Sequence, residues 1–178
     1  MIQIRDGVFE TNSSSSHSIV IEKKDKPMPE KVDPGWKVGK DGEMRMWASD
    51  LYFGRAPFNL LTDWEGRLCY CIASYNDKPE VIEEIEGICR ERIAGFKRFK
   101  FDRDESSDKD QPYYGDVDHQ SSGLLQRFLL SHNLSLQDFI FNDRYIVVID
   151  GDEYCIFQKF LNTDMFNKDS LIEEEAHG

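Results

Sequence analysis

The sequence predicts an α+β fold, one domain over residues 1–172 with an acidic, disordered tail at 173–178. Three observations predict it. β-Branched runs lie near the two ends of the chain, at Ile19-Val20-Ile21 and Ile146-Val147-Val148-Ile149, and suit a pleated, half-buried surface. Between them, apolar residues recur at helical spacing in two consecutive segments. No apolar run approaches the roughly 20 residues a membrane span requires.

Taken in order, Met1 to Ile4 alternates weakly, as a short strand would, and leads into the polar loop Glu10 to Ser18. Val8 and Phe9 before that loop, and Ile19 to Ile21 after it, would pin its hydroxyls and His17 onto a core. The plainer reading is a serine-rich turn whose hydroxyls satisfy local backbone groups. His17 to Ile21 is a predicted strand. A charged, proline-broken connection follows from Glu22 to Gly42, then a strand at Glu43 to Trp47. Leu51-Tyr52-Phe53-Gly54, with Pro57 and Phe58, reads as an aromatic loop that caps a core or, if exposed, forms a protein-binding patch.

Thr62-Asp63-Trp64-Glu65 has capping-box spacing, with Thr62 as N-cap. Trp64, Leu68, Cys71, Ile72 and Tyr75 then share one helical face. Asp77 caps the next helix and Pro79 occupies its first turn. Val81, Ile82, Ile85, Ile88, Cys89 and Ile93 make its apolar face, acidic residues come early, Arg90 and Arg92 late, and Gly95 ends it. The two helices form an αα-hairpin. Phe96 to Phe101 returns as a strand, and Asp102 to Asp110 is an acidic loop. Ser121 or Ser122 caps a helix through Leu124, Leu125, Phe128 and Leu129, and Ser135 to Phe141 is a short capped helix. Arg144 to Ile149 and Glu153 to Phe157 flank Asp150-Gly151, the turn of a C-terminal β-hairpin.

Basic side chains number 22 against 34 acidic ones, a formal charge of −12 and a pI near 4.7. That balance disfavours a protein that grips nucleic acid by neutralising phosphates. It suits a basic partner, although solubility alone is a sufficient reason for it. The N-terminus lacks the basic and apolar regions of a signal peptide, so a cytoplasmic location is expected. Cys69, Cys71, Cys89 and Cys155 are then buried thiols or metal ligands rather than disulfides. Cys69 and Cys71 cannot share one metal on a helix, being about 200° apart around it.

No phosphate-cradling glycine motif, zincin pair or zinc-ribbon spacing is present. The candidates for chemistry are His17 with Ser13, Ser14 and Ser15, and Asp118-His119 just before a helix start. If the two loops converge, His17 and His119 offer two imidazoles to zinc, with Cys71 as third ligand and Cys89 or Glu10 in reserve. Asp118 would orient an imidazole from the outer shell, and the serine hydroxyls would meet an anion. The alternative is that both histidines are hydrogen-bonded structural groups.

The segment from Val8 to Ser18, VFETNSSSSHS, together with Asp118-His119-Gln120-Ser121, resembles a family of small proteins of bacteriophages, prophages and their Firmicutes hosts. The two motifs cover a small fraction of the chain. In size, acidity and cysteine and histidine content the chain is also similar to small anti-CRISPR proteins of streptococcal prophages, at least one of which carries zinc. The resemblance implies a phage-encoded inhibitor that binds the type II RNA-guided nuclease and keeps target DNA from loading; the acidic charge adds the expectation of no direct nucleic-acid contact. The guide–target duplex of that nuclease runs in a positively charged channel, which an acidic protein can block. Two other readings stay open: a metal-dependent enzyme acting on a phosphate-containing substrate through His17 and His119, and a virion or host-takeover protein without small-molecule chemistry.

Overall fold

The computed structural model describes residues 16–54, 59–103, 111–118, 121–151, 163, 166–167 and 171–172. Its architecture is mixed α+β, as the sequence predicts. The expectations for Met1–Ile4, most of the serine loop, the acidic loop beyond residue 103, the strand at Glu153–Phe157 and the tail lie outside the described residues.

The two β-branched runs find each other. β1 (Ser16–Ile21) and β7 (Tyr145–Gly151) pair antiparallel, with Ile19 opposite Val147 and Ile21 opposite Tyr145. β4 (Asn59–Leu61) lies on the far side of β7 and β8 (Leu171–Ile172) on the far side of β1, giving the order β4-β7-β1-β8. Alternate residues of the central strands serve different cores. Ile19, Ile21, Tyr145, Val147 and Ile149 join the main core, whereas Val20 and Val148 pack with Phe166 on the opposite face. A strand covered on both faces needs an unbroken apolar run rather than alternation, and that is what both segments carry. Each side chain so buried stabilises by roughly 1.5–3 kcal/mol before chain entropy is counted.

Two parallel pairs flank this sheet. β2 (Glu43–Met46) pairs with β5 (Arg98–Phe101), burying Met44, Met46 and Phe99 while Glu43 bonds Arg98 on the outer face. β3 (Tyr52–Phe53) pairs with β6 (Asp116–Val117). The aromatic loop expected at Leu51–Gly54 is therefore partly strand. Leu51 and Phe53 enter the core and Tyr52 faces out. A short 3-10 turn, Ala48–Asp50, joins β2 to β3.

The helices are α1 (Trp64–Ser74), α2 (Pro79–Arg92), α3 (Leu124–His132) and α4 (Leu136–Phe141). α4 packs against both α1 and α2, burying Phe139, Ile140 and Phe141. Three helix starts differ from expectation. Asp63, not Thr62, caps α1, accepting from the Gly66 N–H at 2.7 Å. Lys78 precedes α2 without a side-chain cap, and Gly123, in the left-handed region, precedes α3. Ser121 is instead drawn into the interior, its N–H bonded to the Asp118 carbonyl at 2.9 Å. The Ser135 cap holds as a full capping box with Asp138. Asp150-Gly151 is not a turn: β7 runs through it, and Gly151 pairs with Ser16. No helix among the described residues is long and apolar enough to cross a membrane.

Candidate functional site

The strand β1 carries His17 into the main core, fully buried. Its partner across the sheet is Ile149, and its Nδ1 lies 3.3 Å from the Tyr70 hydroxyl on α1. Tyr70 in turn meets Phe53 edge-on, with ring centroids 5.3 Å apart. Phe53 is the residue that fixes the second polar motif, because its carbonyl accepts from the Asp118 N–H at 3.1 Å. The chain thus reaches Asp118 along β6, and a glycine makes the approach possible. At Gly115 (φ +102°) a Cβ would lie 2.5 Å from the Leu51 carbonyl and 2.9 Å from Ala73 Cβ. Asn76 Nδ2 secures that passage by donating to the Gly115 carbonyl at 2.9 Å.

The electrostatics follow from this placement. Burial pushes the His17 imidazole down to about 4, and the Asp118 carboxylate, within electrostatic reach, pulls it partly back up. The ring is therefore neutral near pH 7. Among the described residues Nε2 has no hydrogen-bond partner. Whichever tautomer satisfies Tyr70, the described residues leave one ring nitrogen unmatched in the core, a cost of roughly 1–3 kcal/mol. The Ser18 hydroxyl, on the opposite face of the strand, is likewise buried without a partner among the described residues.

No family model matches the chain, and neither does any curated protein or solved structure. What the site can do rests on its geometry. The neutral, unmatched Nε2 is the kind of atom that ligates zinc, and Asp118, next to it in electrostatic terms, has the chemistry of an outer-shell partner. His119, Ser13, Ser14, Ser15 and Glu10 lie outside the described residues. Cys71 is described, and faces elsewhere. One position along α1 from Tyr70, and so about 100° around it, Cys71 is enclosed against Cys89 and Glu84 of α2, and burial followed by those neighbours pushes its thiol well up. Burial raises the Cys89 thiol as well, and brings the Cys69 thiol up to about 12. Among the described residues no three histidine, cysteine or carboxylate groups gather as a metal would require.

Two features escaped the sequence reading. Arg67 is completely buried on α1. Its guanidinium donates to the carbonyls of Thr62 (2.8 Å), Ile140 (3.0 Å) and Tyr145 (3.0 Å) and to Asp143 Oδ1 (3.0 Å). It ties α1 to the end of α4 and the start of β7. Its place on the buried side of α1 is the one sequence signal that hinted at this. The second is a surface cleft of about 500 Å³ walled by Trp36 and Trp47, with Arg45, Asp41, Glu43, Asp50 and Lys100 along it. Trp36 is 86% exposed and Trp47 47%. Both lie where the sequence read only a long connection and a strand end.

Proposed function

We propose that this protein is a stoichiometric, protein-binding inhibitor of the anti-CRISPR kind, phage-encoded and acting in the cytoplasm of a bacterial host. It occupies basic surfaces of the type II RNA-guided nuclease and so keeps target DNA from loading. The observation that carries the reading is a surface of net charge −12 that also exposes Trp36, Trp47 and Tyr52. Aromatic anchors within a charged surround are the usual composition of a protein-binding face. The interior supports it too, since the described polar node at His17 is sealed from solvent and offers a substrate no access. Mixing the chain with the guide-loaded nuclease at low salt is expected to give a one-to-one complex and to suppress binding of target DNA. A nuclease that neither binds the chain nor loses DNA loading would dismiss the reading.

A second reading is favoured by one atom, the unmatched Nε2 of His17. In it, His17 and His119 hold zinc, as a structural tie between the two polar loops or as the centre of a metal-dependent enzyme acting on phosphate-containing substrates. One equivalent of zinc by elemental analysis, lost in both His17→Ala and His119→Ala, would support it. Metal-free protein of unchanged stability after zinc addition would count against it.

A further inference from the structure

The cleft between Trp36 and Trp47 already shows what it can hold. The guanidinium carbon of Arg45 sits 3.8 Å from the centroid of the Trp47 ring, and the Lys37 ammonium 5.8 Å from that of Trp36. Both tryptophans are thus cation platforms within the chain itself, and most of the Trp36 surface remains open to solvent. The cations lining the cleft are each engaged. Lys37 bonds Glu65, Arg45 bonds Asp102 at 3.1 Å, and Lys100 lies 3.6 Å from Glu43, which also holds Arg98. Among the described residues two carboxylates there pair with no cation: Asp41, which accepts the Glu43 N–H at 3.1 Å, and Asp50, which stands on the wall shared with a second cavity, of about 350 Å³, that runs past Lys37 to Asn59 and Leu61.

We infer that this cleft is where a basic protein partner inserts an arginine side chain, stacking it on Trp36 and pairing it with Asp50. The inference deepens the preceding reading and rests on its claim of a basic partner. An arginine suits the site better than a lysine, because a planar guanidinium can lie flat on an indole while its edge donates two hydrogen bonds to a carboxylate. A nucleic-acid base would stack as well, but it brings phosphates to a protein of charge −12. The second cavity extends the footprint beyond one side chain, to a short extended segment.

Because Trp36 is so exposed, Trp36→Ala removes the platform without disturbing the core or the net charge. Titration calorimetry with an octa-arginine peptide, an octa-lysine peptide and an oligothymidylate of similar length provides the test. Octa-arginine is expected to bind more tightly than octa-lysine, and Trp36→Ala and Asp50→Asn each to weaken it by about fivefold or more. Circular dichroism checks that both variants remain folded. Octa-arginine affinity unchanged in Trp36→Ala would overturn the inference, since plain attraction to an acidic protein does not need an indole. Oligothymidylate binding that depends on Trp36 would overturn it as well. The nuclease separates the two levels. Wild-type binding that is intact in both variants removes the cleft and leaves the inhibitor reading. Trp36-dependent peptide binding without nuclease binding does the reverse.

Discussion

Arg67 and His17 are both polar groups sealed in the interior, but their energetics are opposite. Arg67 is answered at each of its three nitrogens, by three carbonyls and Asp143. Arg67→Met would leave those carbonyls without a donor, and is expected to cost about 3 kcal/mol, a fall in Tm of roughly 10 °C in a thermal scan. Among the described residues His17 is answered on one side only. Its folded-state value, about 4, lies below the ordinary 6.5, so the unfolded chain binds the proton more readily. The stability this neutral ring supplies is complete above pH 6.5 and is lost as pH falls from there through about 4. It amounts to about 3 kcal/mol. Denaturant titrations between pH 7 and 4, with a chelator present, should show a shallower acid loss in His17→Gln than in the wild type.

At the scale of elements, the sequence was legible where one local rule had no rival. The Ser135 box, the apolar stripe of α2 and the strand β2 follow from spacing alone. It was ambiguous where two acceptable residues stood side by side. Thr62 and Asp63 are both good N-caps, and the backbone chose Asp63. Asp63→Ala is accordingly expected to cost about 1 kcal/mol in chemical denaturation, and Thr62→Ala a few tenths at most. Long-range pairing overrode turn chemistry at Asp150-Gly151, where Ser16 supplies a strand partner that no local window contains. The candidate site shows the same limit of local rules. Asp118 lies within electrostatic reach of the His17 ring, while His119, which the converging-loop expectation required, lies outside the described residues. That Tyr70, rather than Cys71, is the α1 residue turned toward His17 depends on the helix's rotation against the sheet, which spacing does not specify.

For the whole molecule, the excess of acidic groups sets how partners meet before it sets how tightly they hold. Encounter with a basic protein should slow by at least tenfold between about 50 and 500 mM salt, while dissociation changes less. Stopped-flow association with the nuclease proposed as partner measures this, and a rate indifferent to salt would remove charge from the account.

The strand order has a further consequence, for synthesis rather than for binding. β1 ends at Ile21, yet both of its neighbours come much later in the chain, β7 from Tyr145 and β8 from Leu171. At ~5–20 residues per second, Ile19, Val20 and Ile21 wait on the order of ten seconds after translation before a companion strand leaves the ribosome. Throughout that interval they are an adhesive, unpaired segment, so chaperone occupancy of the nascent β1 segment should bear directly on the yield of folded protein.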